Sequence, residues 1–170
     1  MSEQTAPPDF HIRPAAAGDV PLILQFIREL ARYERLLHEV VATEESLRET
    51  LFGARAYAEV SLGYLAGTPA AFALYFHNYS TFLGRPGVYL EDLYVKEEFR
   101  GRGLGRAMLR HLARLAKERN CGRLEWAVLD WNEPAINFYK GLGAVPLDEW
   151  TVFRVTGDAL DRLAEDRPSF

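Results

Sequence analysis

Gly101, Gly103 and Gly105 alternate with Arg100, Arg102 and Arg106 between a run of strand character and a run of helical character. This pattern is suited to holding a polyphosphate. Glycine allows backbone conformations and close approaches that a Cβ forbids, and the free N–H groups at a helix start, aided by the helix dipole, attract anions. Further arginines follow as far as Arg123, enough to neutralise a small polyanion such as the phosphates of a nucleotide cofactor.

Three nucleotide-binding patterns compete for this turn. A P-loop would end in glycine-lysine-serine or threonine, which is absent. A dinucleotide fingerprint would follow an early parallel strand and carry its third glycine at the last position, and neither condition is met. A coenzyme A pyrophosphate loop remains, beside the alternative that the glycines only turn the chain.

The elements around the turn follow from periodicity. Residues 1–9, with Pro7 and Pro8, read as a disordered tail, leaving one domain over 10–170. Phe10 to Arg13 is a short strand. Pro21 opens a helix whose apolar residues Leu22, Ile23, Phe26, Ile27 and Leu30 recur at helical spacing to about Tyr33. Thr43 can cap a second helix that Gly53 closes. Tyr57–Leu65 and Pro69–Tyr79, joined at Ala66-Gly67-Thr68, read as a hairpin, and a strand over Val88–Val95 completes an antiparallel meander. A helix over Leu104–Arg119, a strand over Arg123–Leu129 and a helix over Pro134–Lys140 follow, then a final strand near Trp150–Val155 and a helix over Asp158–Glu165. The predicted fold is α/β (α+β): one mixed, mostly antiparallel central sheet flanked by helices in a single domain.

Composition sets bounds. At 170 residues, 48% hydrophobic and 26% charged, the chain has the make-up of a globular domain with its own core. A net charge of −4 argues against a nucleic-acid partner, which would need a clustered basic surface. No apolar run is long enough to span a bilayer and the start has no signal-peptide pattern, so the expectation is a cytoplasmic protein without a membrane partner. The lone Cys121 has no identifiable base and reads as a structural thiol, and the four histidines lack metal-ligand spacing, so no metal is predicted. Trp131 and Trp150 read as packing or channel residues.

Arg100-x-x-Gly103-x-Gly105 after a strand resembles motif A of the GNAT acetyltransferases. Val128–Ala144, including Asp130-Trp131-Asn132-Glu133-Pro134 and Phe138-Tyr139-Lys140, resembles that family's asparagine-to-tyrosine motif. Glu29–Glu34 and Tyr89–Val95 are similar to the diamine and polyamine branch, the spermidine/spermine and thialysine acetyltransferases. The resemblance runs from about Ile12 to Val155. It implies an N-acetyltransferase that uses acetyl-coenzyme A as co-substrate, by direct attack of a primary amine of a small cation (polyamine, diamine or lysine-like amino acid). Alternatives are an antibiotic or protein amine as acceptor, or a non-catalytic acetyl-coenzyme A sensor. A homodimer is also implied.

The resemblance further assigns roles. Tyr139 matches the tyrosine that protonates the departing sulfur, and Glu91 the glutamate that takes the ammonium proton, directly or through water. Neighbouring Asp92 is expected on the opposite strand face. Leu93, Tyr94 and Val95 would meet the pantetheine arm through backbone groups. Arg100, Gly101, Arg102, Gly103, Leu104, Gly105 and Arg106 would embrace the pyrophosphate, and Asn132 and Ile136 would also contact the cofactor. Tyr33, Glu34, Glu91, Glu125 and Trp126 match positions facing the acceptor, where carboxylates and aromatic faces suit an ammonium group.

Overall fold

A computed structural model describes residues 6–165. The chain forms two compact units, Met1–Ala127 and Val128–Phe170.

The first unit is built on a five-stranded sheet in the order β1 (Phe10–Pro14), β2 (Glu59–Leu65), β3 (Thr68–Ser80), β4 (Arg85–Val95), β5 (Leu124–Trp126). The first four strands pair antiparallel, β2 to β3 and β3 to β4 through short connections and β1 to β2 across the segment that holds two helices, and β5 pairs parallel to β4. A parallel neighbour requires a crossover. The helix α3 (Leu104–Glu118) supplies it. The remaining helices of this unit, α1 (Val20–Tyr33) and α2 (Glu44–Phe52), precede β2.

Both sheet faces are covered, and β2 records this residue by residue. Val60 and Leu62 point into the core made with α1 and α2. Ser61 bonds His111 of α3 at 3.1 Å, a Cβ on Gly63 would strike Phe10 and approach Met108 Sδ, and Leu65 packs with Leu104. Alternate residues therefore serve opposite helix layers. In the α1 layer the fully buried rings of Phe26 and Phe72 stack with centroids 5.1 Å apart, and Tyr94 meets Phe26 edge-on at 6.4 Å.

Local signals behave as their chemistry requires. Thr43 and Ser46 cap α2 reciprocally: the Ser46 N–H donates to Thr43 Oγ1 at 3.2 Å and the Thr43 N–H donates to Ser46 Oγ at 3.0 Å. Arg13 holds Asp19 through two bonds of 2.7 and 2.8 Å, tying β1 to the start of α1. At the far end of β2, Arg119 pairs with Glu59, its Nη2 donating at 2.8 Å.

Several expectations are corrected. β4 begins at Arg85, three residues before the predicted Val88, because the ladder with β3 continues through Pro86 and Gly87. β5 ends at Trp126 rather than Leu129, where its pairing with β4 stops. In the second unit, α4 (Glu133–Lys140) and α5 (Gly157–Ala164) form as expected. The strand predicted near Trp150–Val155 does not form among the described residues. Strand character in a sequence becomes a strand only where another chain segment completes the ladder. Val152 and Phe153 there are 88% and 90% exposed.

Of the predicted tail, residues 1–5 lie outside the described residues. The Asp9 carbonyl accepts from the Ala66 N–H at 3.2 Å, and the Pro7 carbonyl from the Phe10 N–H at 3.0 Å. Among the described residues no helix is long and apolar enough to cross a membrane.

Candidate active site

The site in the first unit begins where two strands part. β4 and β5 pair only over Val88↔Leu124, Tyr89↔Glu125 and Leu90↔Trp126, while β4 continues to Val95. Beyond Leu90, β4 therefore has β3 on one side and, among the described residues, no strand on the other. The Lys96 N–H donates to the Ala70 carbonyl of β3 at 3.0 Å. Backbone groups alternate sides along a strand, so those of Val95 and Leu93 face the open edge. Tyr94, 7% exposed, sends its ring into the core and leaves its backbone to the strand.

The glycine turn follows directly. Gly101 and Gly103 hold φ of 74° and 78°, values a side chain disfavours. A Cβ on Gly101 would meet nothing within 4 Å, so backbone conformation rather than space demands glycine there. Gly103 is the N-cap of α3 and offers no side chain to its first N–H groups, which are left facing outward at the positive end of a fifteen-residue helix. That geometry fits a pyrophosphate. Leu104 is 1% exposed and locked into the core, so only its N–H is available to a ligand. Gly105 and Arg106 continue the first turn of α3, and the Arg102 guanidinium lies 5.8 Å from the ring of Phe99.

Arg100 does more than border the turn. Its guanidinium lies 4.6 Å from the centroid of the Tyr33 ring and 5.4 Å from that of Tyr94, and its Nε donates to the Val95 carbonyl at 3.0 Å. Tyr33 is held in place by the helix end. Arg35 adopts φ 64°, and the Leu36 N–H donates back to the Ala31 carbonyl at 2.7 Å, closing α1 just after Glu34.

Three carboxylates gather beside this point. In β4, Asp92 stands opposite Leu74 but Leu90 stands opposite Tyr75, so Glu91 is the extra residue of a bulge. The regular alternation expected at Glu91–Asp92 is interrupted there. Glu91 is exposed. Asp92 is half-buried on the α1 side, and burial, then the charges of Glu91 and Glu34, raise its carboxyl to about 7. Burial also raises the Glu34 carboxyl. Sequence reasoning passed over Asp92 as a site residue, because a bulge leaves no mark in one strand's pattern.

Glu125 is placed differently from a free acceptor ligand. Its Oε2 accepts from Asn78 Nδ2 at 2.7 Å and pairs with Arg123 Nε at 2.8 Å. Trp126 ends β5, half-buried.

The second unit holds the other motif. Asn132, 7% exposed, caps α4: its Oδ1 accepts from the Ala135 N–H at 3.4 Å. Ile136 and Tyr139 sit half-buried on α4, and the ring of Tyr139 lies 5.4 Å from that of Phe138. The Tyr139 carbonyl accepts from the Ala144 N–H at 3.2 Å, after Gly143 with φ 88° has turned the chain.

Comparison with known proteins agrees with this geometry. A sequence profile described as the acetyltransferase (GNAT) family matches residues 24–144. The chain is 41% identical over 164 residues to a thialysine N-epsilon-acetyltransferase of Bos taurus, covering 90% of this chain and 96% of that protein. It is 34% identical over 197 residues to the L-ornithine N5-acetyltransferase NATA1 of Arabidopsis thaliana, covering 89% and 86%. An integron cassette protein from the mobile metagenome of V. cholerae superposes with a TM-score of 0.79 at 26% identity, over 94% of this chain and 99% of that one.

Proposed function

The chain belongs to the acetyltransferase (GNAT) family, and from that premise we propose that it moves the acetyl group of acetyl-coenzyme A to a primary amine of a small cation. The acceptor class is a diamine, a polyamine or an amino acid with a side-chain amine. The relatives named for thialysine N-epsilon and ornithine N5 transfer support a side-chain nitrogen. Residues 10–170 act as one domain of a cytoplasmic protein, and the homodimer is what the family resemblance implies.

One observation carries the reading. Within the first unit, the uncapped start of α3 comes shortly after β4, whose open-edged part carries Glu91 and Asp92, and Glu34 at the end of α1 acts on Asp92. An anion-binding turn thus follows the strand that carries two of the carboxylates, with the third at the end of α1. A transfer between a polyphosphate-tailed donor and a cationic acceptor needs those two parts.

Acetyl-coenzyme A supplies a thioester carbonyl open to attack by a neutral amine. The chain's residues do the rest. The N–H groups of Gly101 to Arg106 hold the pyrophosphate and Leu93 and Val95 pair with the pantetheine arm along the edge of β4, while Asn132 and Ile136 match cofactor-contacting positions of the family. An alkyl ammonium near pKa ~10.4 must lose a proton before attack. Glu91 takes that proton and Tyr139 returns one to the departing sulfur. Tyr33, Glu34 and Trp126 line the acceptor. Glu125, held by Asn78 and Arg123, matches a further acceptor-facing position.

A second reading concerns the base alone. Asp92, raised to about 7, titrates where a general base works best at neutral pH, whereas Glu91 is exposed. Thiol release from acetyl-coenzyme A, with spermidine, putrescine, thialysine, ornithine and lysine as acceptors, tests the reaction. Turnover with one of them supports it. Glu91→Gln and Asp92→Asn then identify the base, since only the true base variant loses kcat.

A further inference from the structure

Arg100 is gripped from three directions. The ring of Tyr33, the ring of Tyr94 and the carbonyl of Val95 take up its guanidinium and Nε, and Glu97 Oε1 lies 3.9 Å from Nη1. A guanidinium flanked by two aromatic rings gains attraction from both quadrupoles, and its planar shape suits stacking in a way an ammonium does not. Arg100 is also the residue from which the glycine turn departs. Its backbone is extended, with φ −66° and ψ 160°, and Gly101 follows at φ 74°. Fixing the side chain therefore fixes the point where the turn begins.

We propose that Arg100 is a positioning residue, and that Tyr33, through its ring, sets the affinity of the glycine turn for acetyl-coenzyme A. The proposal rests on the acetyltransferase reading above and adds to it a link that the turn's own sequence does not contain. Tyr33 is the last residue of α1, sixty-seven positions upstream of Arg100. It matches an acceptor-facing position, yet its ring lies against the cofactor turn. Tyr94 cannot be the adjustable partner, because it is buried with Phe26 in the core. Tyr33 is the half-buried side of the stack and can vary without opening the core.

The physical consequence is a coupling. If Tyr33 orders the turn, then a cation that settles beside Tyr33 and Glu34 alters the acetyl-coenzyme A affinity, and acetyl-coenzyme A alters the cation's affinity by the same factor.

Isothermal titration of acetyl-coenzyme A into the full chain tests the link, using wild type, Tyr33→Phe, Tyr33→Leu, Arg100→Lys and the Tyr33→Leu/Arg100→Lys double variant, with thermal melts alongside. Tyr33→Phe keeps the ring and is expected to bind more tightly than Tyr33→Leu. Tyr33→Leu is expected to weaken binding roughly three- to tenfold. In the Arg100→Lys background the same Tyr33→Leu change is expected to cost less than it does in wild type, since an ammonium keeps only part of the guanidinium's attraction to the ring. A Tyr33→Leu protein that binds like wild type overturns the proposal, as does a Tyr33→Phe protein as weak as Tyr33→Leu. So does full additivity in the double variant. Should wild type bind no acetyl-coenzyme A, the underlying acetyltransferase reading falls instead, a result distinct from any variant effect.

Discussion

Glu34, which closes α1, and Asp92, on β4, belong to one electrostatic site: with burial first and the adjacent Glu91 second, the charge of Glu34 helps raise the Asp92 carboxyl to about 7. An aspartate in the unfolded chain releases its proton near 3.8. Between those values the folded protein binds the additional proton, so Asp92 makes stability fall as pH rises from about 4 to about 7. Asp92→Asn removes that slope. Urea denaturation at about pH 5 and about pH 8 is expected to show the variant gaining on wild type at the higher pH. An equal difference at both would refute the assignment.

Tyr139→Phe is expected to lower kcat by about 10²- to 10⁴-fold while leaving acetyl-coenzyme A binding unchanged. Steady-state rates together with calorimetry separate the two quantities. A variant with normal kcat would remove Tyr139 from proton transfer.

Gly103→Ala introduces a Cβ at φ 78°. The strain is worth about 1–2 kcal/mol. It is expected to appear as a lower melting temperature together with weaker acetyl-coenzyme A binding, because the same residue begins α3 and shapes the anion turn. Loss of stability without loss of binding would separate the turn from the cofactor.

Phe26→Ala removes one ring of a fully buried stacked pair. A cost of about 3–5 kcal/mol is expected in chemical denaturation. A cost under about 1 kcal/mol would mean that the α1 layer is not the main core.

Much of this was legible in the chain. The turn at Gly101 to Gly105 was readable because glycine spacing between two periodic segments reports backbone geometry directly. Thr43 was readable as a cap for the same local reason, and the helices followed from spacing alone. What depended on a partner strand was not. The bulge at Glu91 exists only in the register between β4 and β3, so the half-buried setting of its neighbour Asp92 was invisible. Trp150–Val155 had the composition of a strand, but composition cannot supply the segment that completes a ladder. Leu104 was legible as the first apolar residue of α3, and its side chain is buried in the core. The pairing of Glu125 with Arg123 was available in principle: Arg123 directly precedes β5, and residues two apart in extended backbone share a face.

Mass spectrometry of the acceptor after incubation with the protein and acetyl-coenzyme A tests the central claim most directly. The account predicts one added acetyl group on an amine of thialysine, ornithine or a polyamine, and no addition when the protein is omitted. Tight binding of acetyl-coenzyme A with no acetylated amine in the whole series would contradict it.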